Sequence, residues 1–477
     1  MNNQTKLLKE KFGFSSFKLG QKETIDSLLS GKNTFTVLPT GTGKSLCYQL
    51  PSYMFDGQTV IVSPLISLME DQVSQLRKMG EKSVVALNST LDYPSKKYVL
   101  NNLSSFKFIF ISPETLNQEE VFQCFSDLNI TLFVIDEAHC ISEWGHDFRP
   151  SYLQLKHNLN KLNNPLTLAL TATATESVKK DIENELFSSR DFHTYFYSVN
   201  RENIYYQVEE CEDKVDFLLS FLAEKNMPGI IYFSSKREAE RLAATLNEHL
   251  PYSVAFYHGD VSSQDRVKIQ QQFINDDIRI LCATSAFGMG VNKENIRFVI
   301  HYHLPDSLEN YVQESGRAGR DGKQSISIIL YQKGDERIHY YLQDESFHQK
   351  KDLLFLKNKS KEELRKYHSL LSDNQKKWLI SLEKNNWNWD SFEQKINSKQ
   401  FEKRIKTQDM SFYVENKYCR RQSILNYFGN AYESIKQTCC CDNCQPKEMF
   451  EFDVEDVHLF EKKVINSEEI IKKLFLI

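Results

Sequence analysis

The sequence predicts an α/β protein: two tandem parallel-sheet domains followed by a helical, cysteine-rich module. Three observations carry that expectation. Short apolar runs alternate with helical segments twice along the chain, which is the pattern of a parallel sheet covered on both faces. A glycine loop ending in Lys-Ser follows the first run, and five of the ten cysteines crowd between Cys419 and Cys444. At 477 residues the chain is too long for one core, and we divide it at 1–203, 204–340, 341–446 and a tail, 447–477.

Composition narrows the function classes. No run of about 18 apolar residues occurs, and the start, MNNQTKLLKEKFGF, has no apolar signal core, so neither a membrane span nor export is expected. A cytoplasmic location follows. The formal charge of −5, from 59 Lys plus Arg against 64 Asp plus Glu, argues against a generally basic nucleic-acid binder and leaves room for local basic faces. Cys47, Cys124, Cys140, Cys211 and Cys282 are scattered, as buried thiols of a reducing compartment are.

Residues 12–23, FGFSSFKLGQKE, precede the first strand and carry Phe17 and Gln21. A glutamine can bond bidentately to the N6 and N7 edge of adenine, although taken alone this segment reads better as a surface helix with an ordinary glutamine. The run 34–38 reads as a strand and leads into Pro39, Thr40, Gly41, Thr42, Gly43, Lys44 and Ser45, then a helical LCYQL. Backbone amides of such a loop cradle phosphates, the lysine reaches the β and γ groups, and the serine binds magnesium. Leu38 stands where the usual first glycine of this motif would be.

Further apolar runs at 60–63, 84–87, 108–112, 132–136 and 166–170 complete the first block. Ser63-Pro64-Leu65 and Ser112-Pro113-Glu114 follow two of them, where hydroxyls and amides touch a sugar-phosphate backbone or merely make turns. The run 132–136 ends in Asp136 and Glu137. The first acid can hold magnesium through water and the second can orient the attacking water, because both lie at the sheet edge that carries the phosphate loop. His139 is expected to couple nucleotide state to Thr171-Ala172-Thr173. Trp144, His146, Phe148, Arg149 and Tyr152, arranged around Gly145 and Pro150, form a composition suited to stacking on bases.

The second block begins near Ile204 and repeats the logic at 229–233, 254–257, 278–283, 298–302 and 325–331, without a phosphate loop of its own. It offers ATSAFGMGVN, with Thr284, Gly288 and Gly290, the last a candidate nucleotide contact. It also offers QESGRAGRDG, with Gln313, Gly316, Arg317, Gly319 and Arg320. Two arginines three apart can point along one face into a cleft, where one serves as a finger on the transition-state phosphate. Residues 341–418 look helical, with 15 Lys plus Arg against 8 Asp plus Glu between Lys350 and Lys406, a balance that suits a solvated face and nucleic acid equally. Cys441, Cys444, Cys419 and either Cys440 or Cys439 make a four-thiolate zinc site. The tail is expected to dock as an amphipathic helix or to fray.

With these residues laid out, the chain resembles the RecQ family of superfamily-two DNA helicases over about residues 12–335, and again from Cys419. The resemblance implies two tandem RecA-like parallel-sheet domains and a helical, zinc-binding module. It assigns adenine reading to Gln21, the first ATP motif to Lys44 and Ser45, and the DEAH box to Asp136-Glu137-Ala138-His139. Trp144 to Tyr152 matches the loop that couples DNA binding to hydrolysis, and Arg317 and Arg320 match the last motif, with Arg320 the finger. The implied cofactors are ATP, Mg2+ (through Ser45 and Asp136) and Zn2+. The implied activity is 3′-to-5′ movement on single-stranded DNA with unwinding of duplex and branched DNA, by a monomer working with replication or repair proteins. Three departures stand out. Lys18-Leu19 replaces the family's Arg-Pro; the 99 residues from Arg320 to Cys419 suggest an extra helical insertion; and the 33 residues after Cys444 cannot hold a winged helix or a small C-terminal helical domain.

Overall fold

The computed structural model describes residues 3–445, apart from 89, 143–148, 189, 224, 289–292, several positions between 358 and 386, and 431–439. The first lobe is built on seven strands: β1 (Asn33–Val37), β2 (Gln58–Val62), β3 (Val84–Leu87), β4 (Phe108–Ile111), β5 (Ile130–Ile135), β6 (Thr167–Thr171) and β7 (Phe192–Phe196). They lie in the order β3-β4-β2-β5-β6-β1-β7, and every pairing is parallel. The second lobe has β8 (Ile204–Glu210), β9 (Gly229–Tyr232), β10 (Val254–Tyr257), β11 (Ile280–Ala283), β12 (Phe298–His301) and β13 (Ser325–Tyr331), in the order β10-β11-β9-β12-β13-β8 and again all parallel.

The apolar runs are continuous because both faces of each sheet are covered. In β5, Phe133 and Ile135 enter one core layer while Leu132 and Val134 enter the other, as the two-residue period of a strand requires. β9 divides likewise, with Ile230 and Tyr232 on one side and Ile231 on the other. One strand escapes sequence inspection. β7, FHTYF, is an edge strand with mostly exposed or half-exposed residues, so no apolar run marks it.

The 341–446 region divides in two. Leu353, Leu356, Leu371, Leu382 and Trp389 form a small cluster of their own. Met410, Tyr413, Val414, Ile424, Leu425, Phe428, Cys440 and Cys441 instead join the core layer that contains β8, β9 and the helix Leu308–Ser315. The cysteine end therefore shares a core with the second lobe. A turn there also extends the second sheet: Cys441 bridges to Tyr206 of β8, Asp442 N donates to Tyr206 O at 3.1 Å, and Val208 N donates to the Asp442 carboxylate at 2.9 Å. Among the described residues no helix is long and apolar enough to cross a membrane. The tail lies outside the described residues.

Candidate functional site

In the first sheet β6 runs between β1 and β5, so the segments leaving those three strands meet at one edge. Leu38 extends β1 by one bond, its N–H donating to Thr171 O at 3.0 Å. The loop then turns through Gly41 and Gly43, with φ of 85° and 72°, a conformation that side chains rarely adopt. Leu38 is accommodated by another glycine: a Cβ on Gly20 would lie 2.3 Å from Leu38 Cδ2. That close approach explains how an apolar residue replaces the motif's usual first glycine.

A cavity of about 350 Å³ opens over this edge. Gln21, Thr40, Gly41, Gly43, Lys44, Ser45, Asp136 and Glu137 line it from the first lobe, and Gln313, Arg317 and Arg320 from the second. Gln21 is buried, its Nε2 donating to Thr42 O (2.7 Å) and Gly43 O (3.0 Å) while its Oε1 accepts from Lys18 N (2.8 Å). It therefore braces the phosphate loop as well as facing the cavity. Lys18, at the departure from Arg-Pro, reaches Gly41 O at 3.3 Å.

Asp136 is half-buried at the cavity wall, and desolvation first, then Glu137, pushes its carboxyl up to about 7 against the opposing pull of Lys44. An oxygen donor so destabilised as an anion suits a divalent cation. Glu137 follows in the left-handed region (φ 49°, ψ 49°), a strained conformation for a non-glycine residue and one found where geometry serves a site. Its Oε2 lies 3.3 Å from His139 Nδ1, which is 2.8 Å from Thr171 Oγ1; that hydroxyl in turn donates to Thr173 O at 3.1 Å. Burial pulls the His139 pKa down, but Cys140 and Glu137 outweigh it and the net shift is well upward. Burial, with Arg317 and Arg201 adding like charge, holds Arg320 down to about 9.

Two expectations for nucleic-acid contacts, at Tyr152 and Ser63, meet a different geometry. Tyr152 is 0 % exposed, and its hydroxyl donates to Asp136 O at 3.0 Å, so it braces the end of β5 and cannot stack on a base. His139 is equally enclosed and lies against Thr171, within the segment to which coupling is expected. Ser63 is buried beside β2. The bland reading also holds for Ser112, whose Oγ accepts from Thr115 N to cap the helix Pro113–Leu116. Arg149 is partly exposed, 3.9 Å from Glu114. Trp144, His146, Phe148, Gly290 and Cys439 lie outside the described residues.

The sulfurs of Cys419, Cys440, Cys441 and Cys444 all lie within 4.8 Å of one another, and Cys419 Sγ is 3.5 Å from Cys440 Sγ and 3.9 Å from Cys441 Sγ. Four thiolates about 2.3 Å from a tetrahedral zinc have sulfurs at about this spacing, so the set fits Zn2+. Arg420 N points at Cys441 Sγ at 3.3 Å, and its guanidinium pairs with Asp442 at 3.1 Å, orienting the ligands.

Two residues escaped sequence reasoning. Arg201, in the connection 197–203, donates to Thr40 O, Gly316 O, Ala318 O and Gly319 O at 2.7–3.0 Å, yet no motif surrounds it. Arg421, 1 % exposed, donates to Asn200 Oδ1 at 2.8 Å and Arg201 O at 2.7 Å; its place two residues after a zinc ligand was the available signal.

A phosphate loop and an acidic pair on one parallel-sheet lobe, faced by two arginines from a second, define a two-lobed nucleotide-driven motor. Models of three families match in order: DEAD/DEAH box helicase over residues 18–181, helicase conserved C-terminal domain over 213–322, and RecQ zinc-binding over 375–445. The last begins well before Cys419, so much of what the spacing suggested as an insertion belongs to the zinc-binding unit. The chain is 43% identical over 447 residues to the probable ATP-dependent DNA helicase RecS of Bacillus subtilis, covering 91% of this chain and 90% of that one. It is also 43% identical over 332 residues to the ATP-dependent DNA helicase RecQ of Haemophilus influenzae, covering 69% of this chain and 53% of that protein. Similar solved structures include Mss116p bound to ssRNA and AMP-PNP (TM-score 0.60, 20% identity, 72% of this chain and 75% of that one). Another is the helicase MrfA bound to DNA and AMPPNP (TM-score 0.60, 19% identity, 71% and 52%); both matches speak for the fold alone. The chain belongs to the RecQ family of ATP-dependent DNA helicases.

Proposed function

We propose that this chain couples ATP hydrolysis to 3′-to-5′ movement along single-stranded DNA and to separation of duplex and branched DNA, in repair or recombination. One observation carries the reading: Arg317 and Arg320 of the second lobe line the same cavity as Lys44, Asp136 and Glu137 of the first. A cavity completed only when two lobes meet converts nucleotide state into relative lobe position. Lys44 and the amides of the glycine loop hold the β- and γ-phosphates. Ser45 and Asp136 would hold Mg2+, which when bound neutralises charge on the phosphate oxygens. Glu137, fixed by its left-handed backbone and by His139, orients the attacking water and accepts its proton. Arg320 supplies positive charge to the transferring group. The path from Glu137 through His139 to Thr171 and Thr173 links hydrolysis to the neighbouring strand end.

The test is a fluorescence strand-separation assay on forked, 3′-tailed and 5′-tailed DNA. The expected result is displacement with ATP and Mg2+ from forked and 3′-tailed substrates, abolished in Glu137→Gln. ATP turnover without displacement on any substrate would refute unwinding, preference for a 5′ tail would refute the polarity, and stronger ATPase stimulation by RNA than by DNA would refute the substrate class.

A further inference from the structure

Arg201 lies between β7 and β8, on the connection that joins the lobes. Its Nη1 donates to Thr40 O at 3.0 Å and to Gly316 O at 2.9 Å; its Nη2 donates to Ala318 O at 2.9 Å and Gly319 O at 2.7 Å. One planar cation thus ties the phosphate loop to the segment that carries Arg317 and Arg320. It makes this tie without lining the cavity. Burial pulls the guanidinium pKa down, with Tyr206 and Asp321 opposing it, and the four carbonyl oxygens replace the hydrogen bonds that burial takes from water. The five-donor fork is what permits four acceptors at once, and a lysine ammonium cannot reproduce that geometry.

The main chain of Arg201 is fixed from the other side. Arg421 Nη1 donates to Arg201 O and Asn200 Oδ1, and Arg421 Nη2 donates to Cys440 O at 3.4 Å. Asn430 Oδ1 accepts from Val199 N at 3.1 Å. Arg421 belongs to the helix Arg420–Tyr427, whose N-cap is Cys419. The zinc ligands Cys419 and Cys440 therefore flank the residue that grips the lobe connection.

We propose that Arg201 is a positioning residue for ATP hydrolysis, setting Arg317 and Arg320 over the phosphate loop, and that Arg421 of the cysteine module holds Arg201 in place. This rests on the function proposed above and adds a route by which the zinc-binding unit governs the ATP site. Arg201 acts through the finger arginines, so its loss should lower kcat while leaving nucleotide affinity, which the first lobe supplies, nearly unchanged.

The experiment compares full-length wild type with Arg201→Ala, Arg201→Lys, Arg421→Ala and Arg421→Lys. Measured are DNA-stimulated ATPase kcat and KM, affinity for a fluorescent ADP analogue, zinc per chain and thermal midpoint. Expected for both alanine variants is a fall in kcat of roughly tenfold or more, since displacements near 1 Å cost up to about 10²-fold. KM and ADP affinity should stay within about twofold, with zinc retained. Neither lysine variant should restore kcat. Wild-type kcat in Arg201→Ala, or full activity in Arg201→Lys, overturns the positioning role. A normal kcat in Arg421→Ala overturns the link to the cysteine module. Joint loss of zinc, ADP binding and kcat marks a structural role only and overturns the proposal; where an alanine variant does not fold, its lysine counterpart is read by the same criteria. Absent turnover in wild type would instead refute the function on which this inference rests.

Discussion

Gly316 tests whether the lobe contact seen in the structure is the one in which ATP is hydrolysed. Thr40 Oγ1 donates to Gly316 O at 3.1 Å, and a Cβ on Gly316 would lie 2.1 Å from that Oγ1. Ordinary contact begins near 3.4 Å, so Gly316→Ala must move the two segments about 1.3 Å apart. Thr40 belongs to the phosphate loop and Gly316 directly precedes Arg317, so the displacement falls across the reacting phosphate. A misplacement of this size costs roughly 10²-fold in rate. Steady-state ATPase at saturating single-stranded DNA should show kcat reduced by roughly that factor, with KM for ATP little changed, because Lys44 and the loop amides are untouched. Adding Thr40→Ala removes the clashing oxygen and leaves Thr40 Cβ at 3.1 Å, a distance that small shifts absorb, and Val312 O at 2.9 Å within the same segment, so part of the loss should return. A kcat within about twofold of wild type in Gly316→Ala would mean that the lobes do not touch here during hydrolysis. Failure of Thr40→Ala to restore any of the rate would show that the damage does not come from the contact with Thr40.

Tyr152→Phe removes the hydrogen bond to Asp136 O and should cost about 1 kcal/mol, a fall of roughly 2–4 °C in thermal midpoint; an unchanged midpoint would refute the bracing role. One zinc per chain is expected by metal analysis, and Cys444→Ser or a strong chelator should lower both metal content and thermal midpoint, whereas a metal-free chain of equal stability would refute the assignment. Asp71 accepts from Gln270 across the lobes at 2.7 Å, and burial raises its pKa from 3.8 to about 6. The folded protein then binds this proton more tightly than the unfolded chain, so the stabilisation is present at low pH and fades as pH rises from about 4 through 6. Asp71→Asn keeps the acceptor and should gain thermal midpoint relative to wild type as pH rises across that window; a constant difference would refute the assignment.

What the sequence displayed follows from local chemistry. β5 and the acids after it were legible because a strand covered on both faces must be apolar throughout and because phosphate chemistry requires carboxylates at its end. The glycine loop was legible despite Leu38, since the order of strand, loop, Lys-Ser and helix survives one replacement. Roles set by distant parts of the chain were not legible. Tyr152 reads as one more aromatic in a stacking loop until the fold returns it beneath Asp136. Arg201 carries no motif because its partners are carbonyls, which every residue possesses, at 40, 316, 318 and 319. β7 lacks a pattern because an edge strand needs no second apolar face.

The turn that closes the edge of β8 has a consequence for how the molecule is made. Val208 and its partner Asp442 are 234 residues apart, yet β8 is the first strand of its sheet to leave the ribosome. At about 5–20 residues per second, its free edge waits on the order of ten to fifty seconds before the cysteine turn can cover it. During that interval the nascent second lobe exposes an unpaired strand edge together with the apolar layer later filled by Met410, Tyr413 and Leu425. The cysteine turn therefore reaches this edge only after all six strands of the sheet have been synthesised.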